Sequence, residues 1–358
     1  MVFMDKFSGN VIVTLCLLLL SVAALAEAAP KIVVVAEKQY VLTAGHPSLA
    51  EWILPKSPES PADNPATLAK IKLGQKLFFD RRLSAQQTMA CASCHKPEYG
   101  WSDGRAKASG FGGKLLPRAT PTIINAGYNP VQNWDGRIET LEQQALEPIL
   151  DPDEMHMSIP ALLARIENIK EYRVHFQHAF PATGISAAAV AKAIASFERT
   201  IISRNSPFDR WIAGDSNALT AEQIAGFAVF MDPEKADCMA CHSPPNFTDS
   251  SFHNIGLASY LQPNPDLGRF KKLPLQAMKG AFKTPTLRNV SQTAPYFHDG
   301  SAQSLRDVID HYVRGGISNP HITPEMKPLN LTPDEINALE SFLLSLTGRV
   351  DFYNPDSK

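Results

Sequence analysis

Two five-residue stretches set the terms for the whole chain: Cys91-Ala92-Ser93-Cys94-His95 and Cys238-Met239-Ala240-Cys241-His242. Two cysteines three apart with histidine directly after the second form the attachment signal for c-type haem. The thiols are spaced to form thioether bonds with the porphyrin vinyl groups, and the histidine is placed to ligate iron from one face. Disulfides in an oxidising compartment, or a zinc site assembled from both pairs, are the competing readings. Neither explains a histidine after both pairs, and zinc would have to draw the pairs together across a large insertion. The motifs therefore predict two covalently bound haem c groups, held by Cys91, Cys94 and His95 and by Cys238, Cys241 and His242.

The fifth cysteine, Cys16, falls in an N-terminal segment with the form of a secretory signal. Lys6 is its basic residue, Val11 to Leu25 its apolar stretch, and Ala24-Leu25-Ala26 or Ala26-Glu27-Ala28 its cleavage site. The apolar run is short for a bilayer span, so cleavage is expected rather than a retained anchor. Cleavage implies a periplasmic protein with no stable membrane insertion. A net charge of -2 gives no reason to expect nucleic acid as a partner.

Outside the long stretches from Lys96 to Pro130 and from Ser243 to Gly300, the periodicity is helical, giving a mainly α fold with long structured loops. Asn64 and Pro65 suggest a helix start with Leu68, Ile71, Leu77 and Phe78 on its apolar face. Arg137 to Leu146, Ile159 to Phe180, Ala187 to Ile202 after a Ser186 cap, and Leu305 to Tyr312 also read as helical. Thr220 with Gln223 and Thr332 with Glu335 are capping-box starts. Residues 28–63 are expected to be an arm over the first domain. Proline and glycine crowd the stretches after each haem motif, which are expected to form the cofactor walls.

The chain repeats itself. Thr120-Pro121-Thr122-Ile123-Ile124-Asn125 is echoed by Thr284-Pro285-Thr286-Leu287-Arg288-Asn289, and Asp-Gly follows ten residues after each asparagine. Haem motif, loop and this block thus occur twice in order. The expected organisation is a signal peptide at 1–28, an N-terminal haem domain at 29–205 and a C-terminal haem domain at 206–358. The two cytochrome-c-like domains would be related by internal duplication.

Both haem motifs, Trp134-Asp135-Gly136-Arg137, Leu141 to Pro148, Asp153-Glu154-Met155 and Thr284 to Gly300 together resemble the bacterial di-haem cytochrome c peroxidase family, in its MauG-like branch. The resemblance covers nearly everything after Asn64. It implies that hydrogen peroxide reacts at the N-terminal haem, while the C-terminal haem stores and delivers electrons. Trp134 matches the family's relay between the haems; alone, it would read as a core tryptophan. Gln144 and Glu154 match the distal-side residues, with Glu154 as general acid-base. Without the resemblance, Glu154 is one member of a solvated acidic loop.

Two departures from the peroxidases carry information. Phe111 stands where many members have a histidine ligand, so the first iron is expected to be five-coordinate at rest. Tyr312 stands where they have methionine, which implies His242 and Tyr312 as ligands of the second iron and favours its oxidised state. His311 and Met326 are rival ligands. The resemblance also implies a calcium ion on the carbonyls of Thr293 and Pro295. The family's asparagine is missing there, because Arg118 is followed by Ala119, so water would take its place. The expected activity is reduction of peroxide with electrons from a cytochrome c or cupredoxin. The alternative is MauG-like oxidation of Trp or Tyr in a protein substrate, and a plain electron-transfer cytochrome is the third reading.

Overall fold

The computed structural model describes residues 31–35 and 38–354; the signal segment 1–28 lies outside them. The helices are α1 (Leu68–Phe78), α2 (Cys91–Cys94), α3 (Leu141–Leu150), α4 (Ile159–Glu167), α5 (Lys170–Ala179), α6 (Ala187–Glu198), α7 (Pro207–Ile212), α8 (Ala221–Met231), α9 (Leu305–Val313) and α10 (Pro333–Ser345). Among the described residues, six short strands form three antiparallel pairs: β1 (Lys31–Val35) with β2 (Lys38–Leu42), β3 (Ile202–Arg204) with β6 (Arg349–Asp351), and β4 (Phe252–His253) with β5 (Phe282–Lys283). The fold is mainly α with long structured loops, as the periodicity predicts. Among the described residues, no helix is long and apolar enough to cross a membrane.

Each half is built on one close helix crossing. In the first, α1 lies on α6, and a Cβ added at Gly74 would stand 1.9 Å from the Ala193 carbonyl oxygen. In the second, α8 lies on α10, and a Cβ at Gly226 would meet the Ala338 carbonyl oxygen at 1.9 Å. Only glycine lets the backbones approach that far. The surrounding residues match as well: Gly74 to Asp80 (GQKLFFD) aligns with Gly226 to Asp232 (GFAVFMD), and Ala193 to Phe197 (AIASF) with Ala338 to Phe342 (ALESF). Both crossings end on fully buried phenylalanines, Phe197 and Phe342.

Two hydrophobic cores result. One gathers Leu73, Phe78, Trp101, Phe176 and Phe197; the other gathers Phe208, Phe227, Phe230, Phe247 and Phe342. The end of the arm lies on the first half as expected, with the Tyr128 hydroxyl donating to the Pro55 carbonyl at 2.6 Å and Lys192 paired with Asp63 at 2.9 Å, but its earlier part does not. Leu49 and Trp52 are buried in the second core, where Trp52 packs edge-on against Phe227 with ring centroids 5.5 Å apart. The buried guanidinium of Arg288 clips the arm in place, donating to the Trp52 carbonyl at 3.1 Å and to Asp209 at 2.7 Å. In exchange, Val350, Phe352 and Tyr353 of the C-terminal tail pack on the first core. The halves therefore trade terminal segments, which local periodicity could not reveal.

Three helix boundaries also move. Thr67, not Asn64, caps α1, with its hydroxyl accepting from Lys70 N–H. Asn64 is instead buried, its amide donating to Glu142 at 2.7 Å and its carbonyl oxygen accepting from the Lys70 ammonium at 3.1 Å. Leu68, expected in the core, is exposed. The third helix starts at Leu141 on a Thr140 cap and carries Pro148 inside it. The helix after Ser186 stops at Glu198, where the chain turns to strand β3.

Candidate haem centres and the cavity between them

Both haem motifs close into a single turn by the same bond. His95 N–H donates to the Cys91 carbonyl at 2.9 Å, and His242 N–H to the Cys238 carbonyl at 2.8 Å. Each imidazole is then held by one backbone carbonyl: His95 Nδ1 donates to Trp101 O at 3.1 Å and His242 Nδ1 to Phe247 O at 2.9 Å. A carbonyl only accepts, so Nδ1 carries the proton and the Nε2 lone pair is left for a metal. Burial lowers the pKa of both imidazoles, which keeps them in the neutral, ligating form.

The two carbonyls come at a conformational cost. Trp101 has φ 59° and Phe247 has φ 55°, a left-handed backbone that bulky residues rarely adopt, yet both side chains are completely buried. Strain of this kind, of order 1–3 kcal/mol per residue, persists where surrounding packing enforces it. It recurs at matched positions and aims each carbonyl at a histidine. No sequence signal announces it, because tryptophan and phenylalanine are poor candidates for such a turn.

Among the described residues, the four cysteines form no disulfide. They line one continuous cavity of about 870 Å³, together with His95 and His242. This is at the upper end of the roughly 300–1,000 Å³ range of small-molecule sites. Only one cluster of potential metal ligands occurs among the described residues: Cys241, Asp249 and His253, within 4.8 Å of one another. The two cysteine pairs are not drawn together as zinc would need. Paired thiols beside an open imidazole nitrogen, in a large and mostly apolar cavity, fit a haem c at each motif.

Around the first motif, Gln144 on α3 and Glu154 after it both line the cavity. Burial, then the neighbouring carboxylates of Asp151 and Glu147, pushes the Glu154 carboxyl up to about 7. A carboxyl at that value can both accept and donate a proton near neutrality. Phe111 falls elsewhere: it does not line the cavity, and its ring stacks on His156 with centroids 4.6 Å apart. Gly110 allows this turn, since a Cβ there would meet the Asp153 carbonyl oxygen at 2.0 Å.

Trp134 sits where the halves meet. Its indole N–H donates to the Ala119 carbonyl at 2.9 Å, its own carbonyl accepts from Lys283 N–H at 2.7 Å, and its ring lies edge-on to His298. Charged pairs fasten the same seam. Arg118 bonds Asp135 at 2.7 Å and Asp266 at 2.6 Å, and Arg269 donates to the Gly136 carbonyl at 2.6 Å. Arg118 holds the Asp266 carboxyl far below the usual carboxylate range despite its burial.

Near the second motif, Tyr312 on α9 lines the cavity, and burial pushes its phenol well above the ordinary value. The rival His311 is turned away, its Nε2 donating to Ile255 O at 2.8 Å, whereas Met326 also reaches the cavity. Thr293 and Pro295 line the cavity too, and Ala119 offers no side-chain oxygen beside Arg118.

A deeply buried cavity-lining acid also escaped the sequence reading. Glu198, at the end of α6, is 3% exposed, and its Oε2 has no hydrogen-bond partner among the described residues. The alignment of AIASF with ALESF would have exposed it, because Glu198 falls opposite Leu343.

The family model described as di-haem cytochrome c peroxidase matches residues 68–217. The chain is 44% identical over 308 residues to the methylamine utilization protein MauG of Methylophilus methylotrophus, covering 86% of this chain and 90% of that one. It is 36% identical over 285 residues to the cytochrome c551 peroxidase of Pseudomonas aeruginosa, covering 78% of each. Among solved structures, a MauG-like protein associated with microbial copper homeostasis superimposes with a TM-score of 0.76 at 34% identity, over 83% of this chain and 95% of that one. The chain belongs to the di-haem cytochrome c peroxidase family and is a haem-dependent oxidoreductase.

Proposed function

We propose that this chain is an exported, periplasmic c-type peroxidase that reduces hydrogen peroxide with electrons taken singly from a donor protein. One observation carries the reading: the Glu154 carboxyl, held near pKa 7, faces the cavity that also receives His95. Residues 29–205 hold one haem c through Cys91, Cys94 and His95. Residues 206–358 hold the other through Cys238, Cys241 and His242, with Tyr312 as second ligand. The Thr293 and Pro295 carbonyls would hold the calcium ion of the family.

Haem at the first motif, when bound, supplies the site for peroxide and the redox capacity to cleave its O–O bond. Glu154 does the proton work, accepting from one peroxide oxygen and returning the proton to the leaving oxygen. Gln144 offers an amide donor and acceptor that orient the substrate. Phe111 supplies no ligand, and its ring is occupied by His156. Trp134, anchored at both its indole N–H and its carbonyl, conducts charge across the seam between the halves.

A second reading is favoured by the MauG relative together with Tyr312: the donor would be a protein whose own Trp or Tyr is oxidised. Both readings predict that peroxide added to the oxidised protein changes the haem absorption, whereas a plain electron carrier would show no response. Steady turnover with reduced cytochrome c or cupredoxin supports peroxide removal. A mass change confined to Trp or Tyr of a partner protein, without such turnover, would replace it with the second reading.

A further inference from the structure

We propose that Glu198 is the proton-holding residue of the first haem site, taking up a proton when that haem is reduced and releasing it on oxidation. The inference deepens the peroxidase reading and rests on it for the location of the reactive haem. The internal duplication provides the built-in control. The α6 and α10 helices occupy equivalent places, cross their partners over matched glycines and carry matched phenylalanines, Phe197 and Phe342. The next residue is Glu198 in one half and Leu343 in the other, and both side chains line the cavity.

Leucine satisfies packing at this position in the second half, so a carboxyl is not required by the fold. A buried acid whose Oε2 has no partner among the described residues is a burden, because that oxygen does not recover what water gave it. Among neighbouring charges, Arg199 on the same helix is already committed to Glu142 of α3, at 2.7 Å and 3.0 Å. Lys192, also on α6, pairs with Asp63. Lys70 on α1 is held by Asn64 and the Pro65 carbonyl. Glu142 acts on Glu198 with the same sign and opposes its ionisation, while Arg199 favours it. From α2 the facing group is Cys91, on which both Glu198 and Glu154 act; thioether formation would remove its proton from the balance. Burial outweighs these influences and pushes Glu198 up to about 8.

The balance is simple. One electron enters the first haem from an external one-electron donor, and one proton passes from solvent to the Glu198 carboxylate. Oxidation reverses both. The added positive charge of the oxidised iron favours the carboxylate, and the reduced iron favours the neutral acid. Peroxide reduction consumes protons as well as electrons, so a proton stored beside the first haem is available where it is needed.

The test is a spectroelectrochemical titration of the di-haem protein across pH 6 to 10, with wild type, Glu198→Gln and Glu198→Leu. In wild type the potential of the first haem should fall with pH in the region around 8, by at most about 59 mV per unit for one proton per electron. Both variants should flatten that slope and leave the second haem unchanged. The reduced-minus-oxidised infrared difference spectrum should contain a protonated-carboxyl stretch that Glu198→Gln removes. A wild-type slope retained in Glu198→Gln, or a flat wild-type profile without the carboxyl band, would overturn the assignment. Peroxide turnover measured separately on wild type tests the peroxidase reading, so either idea can fail without the other.

Discussion

The two halves are the same machine for holding a haem and different machines at the cavity wall. Each has a glycine crossing, a five-residue attachment turn, a strained aromatic whose carbonyl fixes a histidine, and a left-handed asparagine (Asn125, φ 61°; Asn289, φ 57°). Around that common frame, Trp134 answers to His298, Glu198 to Leu343, and Ile124 to Arg288. Both halves put acids on the cavity, but where the first has Glu198 the second has Leu343, and Glu154 near the first motif contrasts with Tyr312 near the second. Duplication thus preserved what positions the cofactor and released what decides its chemistry. The attachment motifs alone could not say which half reacts.

The strongest way to break the symmetry is at the thiols. Replacing Cys91 and Cys94 together by alanine should leave one covalent haem per chain, counted by mass under denaturing conditions, and abolish the peroxide response. The matching pair at Cys238 and Cys241 should also leave one haem but preserve a peroxide-dependent change at the first. If both double variants behave alike, the division of labour is wrong.

The next effect is chemical. Glu154→Gln should slow the reaction with peroxide by about 10²–10⁴-fold, the usual worth of a positioned acid-base. In wild type the rate should rise as pH passes upward through about 7, because the carboxylate is the form that accepts the proton. The variant should lack that rise. In the other half, Tyr312→Phe should instead alter the low-spin spectrum of the second haem. An unchanged spectrum would assign that ligand position to Met326, which also reaches the cavity.

Much of this was legible in the chain because the carriers are local. A CxxCH turn, a Thr-x-x-Gln cap and a repeated Thr-Pro-Thr block need no tertiary knowledge, and the helices from Ser186, Thr220 and Thr332 start at those caps. The misses are long-range. Trp52 finds its partners among aromatics far along the sequence and its clip at Arg288. Asn64 looks like a cap but is claimed by Glu142 and Lys70. Phe111 is drawn to His156 by a turn that only Gly110 permits. Glu154 was found by likeness rather than by charge pattern, and Glu198 needed the two halves laid side by side.

A middle-sized effect tests whether the frames are equally rigid. Gly74→Ala and Gly226→Ala each place a methyl 1.9 Å from a facing carbonyl oxygen, and helices cannot yield without disturbing the core on both sides. Each should destabilise by about 1–3 kcal/mol, the typical cost of overpacking. Thermal unfolding followed by circular dichroism would check this. A marked difference between the two would mean that one crossing has relaxed since duplication.

The smallest effect lies where the halves are stitched together. Ser203 on β3 contacts both left-handed asparagines: its N–H donates to Asn125 Oδ1 at 3.0 Å, and its hydroxyl donates to Asn289 Oδ1. Ser203→Ala removes only the second bond. Asn289 Oδ1 still accepts from Gly348 N–H at 3.2 Å, and its amide still donates to the Gly348 carbonyl at 2.9 Å. No buried group is orphaned, so the loss should be close to the net value of one hydrogen bond, about 1 kcal/mol. It should appear as a lower urea midpoint with an unchanged slope. A change in slope would mean that the halves unfold separately once the hydroxyl is gone, so that the charged seam and the traded terminal segments do not couple them without Ser203.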